Sequence, residues 1–307
     1  MISVVIPAYN EAESVGELHE ELLTVLTKTR EKFEIIFIDD GSTDNTLAEL
    51  HKLSPVRVIS FARNFGKSQA LMAGFAAAAG DMIFTLDSDL QDDPAEIPKF
   101  LARFKESKTD LVCGWKVNRR DSAAKRFVSK IANSVTAYFT SARVHDMNCC
   151  YKLFRTEVAK SLHLYGDMHR YIPALAATAG YKISEVPVHH RARKFGVSKY
   201  GNFRRFFKSF FDFITLILLS RFAHRPMHLF GIAGFILSAA GVLILAYMSY
   251  LRLFLDEFIG NRPLLMLGVL LLVVGIQSFT SGFLGELLIR EKRERPAFTV
   301  KEDVSKL

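Results

Sequence analysis

Ile2-Ser-Val-Val-Ile-Pro7 and Phe33-Glu-Ile-Ile-Phe-Ile-Asp39-Asp40, separated by the amphipathic stretch Glu11–Arg30, decide the fold class. Two short runs rich in β-branched residues, joined by a segment of helical length and spacing, read as a βαβ unit. Working outward, the pattern repeats. Strand-like runs follow at Val56–Phe61, Asp81–Asp87 and Thr109–Gly114, with helix-period segments at Thr43–Leu53, Gly66–Ala79 and Pro94–Ser107. Strands alternating with helices predict an α/β domain with a mostly parallel sheet covered on both faces. In such sheets ligands bind beyond the carboxyl ends of the strands. The acidic clusters fall there: Asp39-Asp40 ends the second run and Asp87-Ser-Asp89 the fourth.

The chain has 307 residues and a formal net charge of +8, from 40 Lys and Arg against 32 Asp and Glu. That balance predicts an anionic partner: an acidic lipid or a phosphorylated substrate. Nucleic acid is not expected, because there is neither an arginine-rich arm nor a zinc-finger spacing. The cysteines, Cys113 and the vicinal pair Cys149-Cys150, suit reduced thiols rather than a disulfide framework. Met1 is followed at once by the first strand, with no basic region before it, which reads as the start of a cytosolic domain without a signal peptide.

From Asn202 the composition changes. Phe203–Phe222 is aromatic and basic, as in a helix lying among lipid headgroups; a hairpin of buried core helices is the alternative. Met227–Leu251 and Pro263–Gly285 contain no Asp, Glu, Lys or Arg, and each exceeds the ~20 residues needed to cross a hydrocarbon core. The expected organisation is a cytoplasmic catalytic domain at 1–201, juxtamembrane interfacial helices at 202–225, a two-helix transmembrane domain at 226–289 and a charged cytoplasmic tail at 290–307. Arg221, His224 and Arg225 precede the first span. Arg290, Lys292, Arg293 and Arg295 follow the second, whereas Arg252 and Arg262 in the connecting loop are offset by Asp256 and Glu257. The basic excess places both termini in the cytoplasm of an inner or plasma membrane protein.

Three constellations carry chemistry. Pro7-Ala-Tyr9-Asn-Glu11 leaves the first strand and can offer backbone N–H groups, an aromatic face and polar side chains; it can equally be an ordinary turn capped by Asn10. Asp39-Asp-Gly-Ser42 can accept from a nucleobase or ribose while Ser42 or Thr43 caps the next helix. Asp87-Ser-Asp89-Leu-Gln91-Asp-Asp-Pro94 crowds oxygen-bearing side chains into a hard-cation site for Mg²⁺ or Mn²⁺. An extended strand end would put Asp87 and Asp89 on one side. An acidic helix N-terminus accounts for Asp92-Asp93-Pro94 but not for that first pair. Beyond the fifth strand, Lys116, Arg119, Arg120, Lys125 and Arg126 supply fixed positive charge for a lipid phosphate, or a basic face that attracts anionic headgroups. Arg170 reads either as a site residue or as half of a structural ion pair.

These motifs, together with Ala62-Arg-Asn-Phe-Gly-Lys67, Asp146–Phe154, Gly166–Pro173, Arg193–Tyr200 and the two spans, resemble in order the inverting family-2 glycosyltransferases of GT-A fold. More narrowly, the chain is similar to the polyprenyl- (dolichyl-) phosphate sugar synthases, over nearly its whole length. The resemblance implies transfer of a sugar from a nucleoside-diphosphate sugar, of the UDP-hexose or GDP-mannose class, to an undecaprenyl or dolichyl phosphate. It implies that Pro7, Tyr9, Glu11, Asp39, Lys67, Asp87, Arg193 and Lys199 hold the nucleotide-sugar, and that Asp89 and Gln91 hold the cation. Independently of the resemblance, Arg119, Arg120, Lys125 and Arg126 are the candidates to meet the acceptor phosphate, and Asp87, Asp89, Asp146, Arg119 and Arg120 are the candidate catalytic residues; the resemblance further implies that homo-oligomers can form through the membrane segments. Asp146 and His169 are the candidate bases. The chain departs from the common Cys-Gly-Phe-Lys pattern at Cys149-Cys150-Tyr151-Lys152, which alters one wall of the site. A processive polysaccharide synthase is disfavoured, since the sole tryptophan, Trp115, is not in a Gln-x-x-Arg-Trp context. A dinucleotide oxidoreductase lacks its glycine-rich turn. Another glycolipid synthase or a two-span, non-enzymatic nucleotide-binding adaptor remains as the alternative.

Overall fold

The computed structural model describes residues 1–116, 142, 144–189, 191, 194 and 226–292. The chain divides into two compact units, Met1–Ser220 and Arg221–Leu307.

The first unit is built on a seven-stranded sheet. Its strands are β1 (Ile2–Ala8), β2 (Phe33–Asp39), β3 (Arg57–Ser60), β4 (Met82–Thr85), β5 (Leu111–Lys116), β6 (Lys152–Arg155) and β7 (Ile183–Val188), in the order β3-β2-β1-β4-β6-β5-β7. The pairings β1–β2, β1–β4, β2–β3 and β5–β7 are parallel, so the expected α/β architecture holds. The strand β6 runs antiparallel between β4 and β5. Neither β6 nor β7 was foreseen. Lys152-Leu-Phe-Arg155 is too short and mixed to show a period, and only its slot between two buried strands makes it extended.

Residues Ile2 to Ile6 are all buried without alternation, as for a strand covered on both faces. On one face, α1 (Val15–Lys28) buries Val15, Leu18, Leu22 and Leu26 at helical spacing, each contributing about 1.5–3 kcal/mol by removal from water. Beside it, α4 (Ile97–Ser107) buries Ile97, Phe100 and Leu101, and Phe100 packs on Phe84 and Tyr151. On the other face lies α3 (Lys67–Ala77), following the short α2 (Thr46–Leu50). A Cβ on Gly74 would sit 2.2 Å from Val5 Cγ1, so α3 approaches β1 more closely than any other residue there permits. The same face carries α5 (Thr156–Ser161) and α6 (Ile172–Thr178).

Expected β4 boundaries need correction. The strand ends at Thr85, because β1 and β6 both stop pairing with it there. Asp87 and Asp89 therefore sit in a loop, with Leu90 at φ 59°, and strand alternation does not align them.

The second unit contains α7 (Pro226–Phe254) and α8 (Pro263–Lys292). Both are long and apolar enough to cross a membrane, with mean hydropathies of 2.4 and 2.1. Their large side chains, Leu243, Phe235, Leu253 and Met266 among them, face outward. The seam between them is made of small residues: Gly234, Ser238 and Gly241 on α7 against Gly268 and Gly275 on α8. A Cβ on Gly234 would lie 2.6 Å from Gly275 O, and one on Gly241 would lie 2.7 Å from Leu272 N. Backbones this close gain dispersion contacts that apolar solvent cannot provide by hydrophobic exclusion, which is how helices associate in lipid. Arg252–Asp256 and Arg262–Glu257 ion pairs mark the connecting loop.

Candidate active site

The carboxyl ends of β1, β2 and β4 carry three loops. The first two are stitched together. Asn10, held at φ 54°, donates from its backbone to Ser42 Oγ and accepts from Thr43 N, while Glu11 N donates to Thr46 Oγ1. These bonds join the loop that leaves β1, with Tyr9 and Glu11, to the loop that leaves β2, and Ala8 pairs with Asp39 in the sheet register. Both acids of Asp39-Asp40 also build the loops. Asp39 is buried and accepts from Ser42 N at 3.0 Å and Ser60 Oγ at 2.7 Å. Asp40 accepts from Phe65 N at 2.7 Å and Gly66 N at 2.9 Å. Burial raises the Asp40 carboxyl above its ordinary value, opposed by those two N–H groups and helped by Asp39. Carboxylate oxygens have further lone pairs, so Asp39 keeps capacity for a ligand. Between the acids and the loop that follows β3, Gly41 adopts φ 69° with Arg63 C only 2.3 Å from where its Cβ would be. Only glycine fits there.

The third loop borders a small cleft lined by Pro7, Lys67, Leu71, Thr85, Leu86, Asp87, Asn148, Cys150, Lys152, His169 and Ile172. Lys67, the first residue of α3, reaches Asp87 Oδ1, and Cys150 Sγ donates to Asp87 Oδ2 at 2.7 Å. Burial by itself would raise the Asp87 carboxyl. The Lys67 charge and the Cys150 hydrogen bond more than reverse this, holding it well below the usual carboxylate range. Burial likewise opposes the Lys67 charge, but the attraction of Asp87 raises its pKa overall. About 29% of the Lys67 side chain and 28% of Asp87 remain exposed, so this is a half-buried pair.

The later acids of this loop do separate jobs. Asp92 is buried, accepts from Asp87 N at 3.2 Å and pairs with Lys116 at 3.5 Å. Asp93 caps the 3₁₀ turn Pro94–Glu96 by accepting from Ala95 N, and pairs with Arg191. Lys116, read from sequence with the acceptor-side basic cluster, instead points inward to Asp92. The sequence could not show this, because β5 and the loop meet only in the fold.

The residues present fit a hard divalent cation. The Asp92 carboxyl is raised by burial and, despite Lys116, by the negative charges of Asp87 and Asp89, so this loop gathers three acids near one another. Oxygen atoms of Asp87 and Asp92 group with Cys150 Sγ, but burial beside Asp87 pushes that thiol up, leaving it protonated and a poor ligand. The chemistry of the donor set therefore favours the carboxylates. Asp89 lies in this loop, half-buried, and accepts from Gln91 N at 3.2 Å.

His169 forms part of the far wall, with Nδ1 3.0 Å from Ser68 Oγ. Burial, with Lys67 and Arg170 nearby, drives its imidazole down to about 2, so the ring is neutral in the physiological range. Arg170 pairs with Asp167 at 3.4 Å. Asp146 is buried before β6, where its Oδ1 accepts from Asn148 N, and is not among the described residues that line the cleft. Arg119, Arg120, Lys125, Arg126, Arg193 and Lys199 lie outside the described residues. Cys150 and Lys152 are cleft residues that the motifs did not single out for a role. Cys150 was signalled by its departure from the common Cys-Gly-Phe-Lys pattern, whereas Lys152 is the lysine of that pattern.

Residues 3–162 match the family model described as Glycosyl transferase family 2. Over 297 residues the chain is 38% identical to dodecaprenyl-phosphate galacturonate synthase of Rhizobium johnstonii, covering 94% of this chain and 88% of that protein. Among solved structures, Mycobacterium tuberculosis glucosyl-3-phosphoglycerate synthase with Mn²⁺, uridine-diphosphate and phosphoglyceric acid matches with a TM-score of 0.57. The identity is 23%, over 72% of this chain and 78% of that one. The same enzyme with Mg²⁺ and uridine-diphosphate gives 0.57 at 21% identity, over 72% and 79%. These two likenesses show the GT-A fold. With more than half its length matched by the family model and a relative aligned nearly end to end, the chain belongs to glycosyl transferase family 2.

Proposed function

We propose that this glycosyltransferase moves a sugar from a nucleoside-diphosphate sugar to a polyprenyl phosphate, with inversion, at the cytoplasmic face of the membrane that α7 and α8 cross. The observation that carries the reading is the Asp87–Asp93 loop, whose Asp87 lines the cleft against Lys67 and Cys150 at the sheet end that also carries the joined Pro7–Glu11 and Asp39–Thr46 loops. Support for the acceptor comes from the galacturonate synthase relative, whose name specifies dodecaprenyl phosphate.

In this reading Pro7, Tyr9, Glu11 and Asp39 hold the nucleoside, and Asp89 with Gln91 holds Mg²⁺ or Mn²⁺. When bound, the cation neutralises charge on the departing nucleoside diphosphate. Asp87 is oriented by two donors, Lys67 on one oxygen and Cys150 on the other, which fixes it against the sugar. The acceptor phosphate, with a second pKa near 6, is anionic at neutral pH. Its oxygen attacks the anomeric carbon as the bond to the diphosphate breaks, and no strong base is required. His169, held neutral, orients rather than accepts a proton. Arg119, Arg120, Lys125 and Arg126 meet the acceptor phosphate, and Arg193 and Lys199 close over the diphosphate. The 1–201, 202–225, 226–289 and 290–307 organisation, with both termini cytoplasmic, belongs to the same proposal.

The test is incubation of membranes containing the full chain with radiolabelled nucleotide-sugars, a polyprenyl phosphate and Mg²⁺ or Mn²⁺. A lipid-linked monosaccharide is expected, and Asp89→Asn is expected to lower its formation at least 100-fold and to blunt the cation dependence. Absence of lipid product with every donor would overturn the reading in favour of a nucleotide-binding adaptor. Unchanged metal dependence in Asp89→Asn would overturn the cation assignment.

A further inference from the structure

Leu90, the residue between Asp89 and Gln91, is buried and held at φ 59°. A bulky side chain enters this left-handed region only where its surroundings impose it. The loop supplies part of the restraint itself. Asp89 Oδ1 accepts from Gln91 N, Asp92 Oδ2 from Asp87 N and Asp93 Oδ1 from Ala95 N. Further restraint arrives from distant elements: Lys116 of β5 pairs with Asp92, and Arg191 makes a second set of contacts.

The strand β7 closes one end of the sheet, three places from β4. Three residues beyond its last residue, Val188, the chain has nonetheless reached the loop that follows β4, where Arg191 N donates to Gln91 O at 2.9 Å. The guanidinium of Arg191 spans two more elements. One nitrogen donates to both carboxylate oxygens of Glu21 on α1, at 2.9 and 2.8 Å, and the other lies 2.8 Å from Asp93 Oδ1. Arg191 therefore grips the loop on either side of Asp92, by its main chain at Gln91 and by its side chain at Asp93, while braced against α1. An arginine fork suits this double pairing, whereas a lysine presents a single point charge. With 39% of the side chain exposed, these ion pairs contribute little to stability as such. Their consequence is geometric. One turn earlier on α1, Glu17 accepts from Lys194 at 2.8 and 2.7 Å, fastening the same stretch of chain to the same helix.

We infer that Arg191 is a positioning residue for the cation loop: it holds the Asp89-Leu90-Gln91 turn in the conformation that binds the divalent cation, and so sets the affinity for a cation it does not touch. This rests on the assignment of Asp89 and Gln91 proposed above. Released from Arg191, the turn at Leu90 relaxes toward an ordinary φ and carries its two neighbours apart. Groups that orient metal ligands commonly account for about 10–100-fold of the affinity.

The experiment uses the full chain in detergent. Mn²⁺ binding in the presence of UDP is followed through the electron paramagnetic resonance signal of free Mn²⁺, and amide hydrogen exchange is measured without cation or nucleotide. Arg191→Ala is expected to weaken Mn²⁺ binding by about 10-fold or more. It should also speed exchange across residues 87–95, with protection of β1 unchanged as proof that the variant folds. Arg191→Lys, which keeps the charge but not the fork, should recover part of the affinity. Glu17→Gln, which frees Lys194 from α1, should stay within about 2-fold of the wild type, as for a single exposed pair. Unchanged Mn²⁺ affinity in Arg191→Ala would overturn the inference, and faster loop exchange alone would then mark the arginine as a surface clip. Equal weakening in Glu17→Gln would overturn it as well. Loss of binding in Asp89→Asn but not in Arg191→Ala would sink this inference alone, whereas wild-type binding in Asp89→Asn would sink the ligand assignment and this inference with it. Arginine-dependent Mn²⁺ binding without any lipid product would leave the inference standing and sink the acceptor assignment.

Discussion

Removing the Lys67 ammonium is the sharpest single probe of how the cleft is held. In Lys67→Met, Asp87 keeps only the Cys150 thiol as a donor from another element, in a site that still restricts water. Breaking a fully buried pair costs about 3–5 kcal/mol and an exposed one about 0–1. With 29% and 28% of the two side chains exposed, the pair lies between, at about 1–3 kcal/mol. For a domain of this size that is a fall in Tm of roughly 2–10 °C. The assay is thermal unfolding of the full chain in detergent, followed by far-ultraviolet circular dichroism, for Lys67→Met, Asp87→Asn and the double variant. The cycle should return a coupling of about 1–2 kcal/mol.

The pH dependence has a definite sign. The folded-state pKa of Asp87 is depressed, so its contribution is present above the unfolded value of about 3.9 and is lost as pH falls through the lower folded value. The folded-state pKa of Lys67 is raised, so its contribution is present below about 10.4 and is lost as pH rises through the higher folded value. The gap between wild type and Lys67→Met should therefore be flat from about pH 5 to pH 9 and close at acid pH. A coupling indistinguishable from zero, or a gap that persists undiminished at pH 3, would refute the reasoning.

Two further outcomes follow from the geometry. Gly275→Ala places a Cβ 2.6 Å from Ser238 N and 2.8 Å from Gly234 O, so α7 and α8 must move apart, at a cost of about 1–3 kcal/mol. Cysteine cross-linking across the seam should weaken, whereas Leu243→Ala, on the exposed side of α7, should leave it unchanged. His169, driven to about 2 mainly by burial, should show no ring titration by NMR between pH 5 and 8. Because the unfolded chain takes up a proton below about 6.5 that the folded chain refuses, His169 destabilises the fold as pH falls, by up to about 1.4 kcal/mol per pH unit. His169→Gln should remove that acid-side slope.

The amino-acid sequence by itself determined the α/β class, the first five strands, the two apolar helices and the three acidic or polar loops. Each of these is a local property: a hydrophobic period, a charge-free run, or a motif inside one loop. The motif order was enough to point to family 2. What the sequence left open depends on which distant residues meet. The strand β6 is extended because it fills a slot between β4 and β5, and no period in its four residues announces this. The same insertion sets Cys150 and Lys152 against a loop more than sixty positions earlier, and turns Lys116 from a surface basic residue into the partner of buried Asp92. Asp87 and Asp89 lie in a loop rather than on one face of a strand because the strand loses both neighbours at Thr85. Charge balance inside the cleft is likewise a tertiary property. A lysine acquires or lacks a counter-ion only when the chain is folded, since burial and pairing are relations between elements and not attributes of a residue.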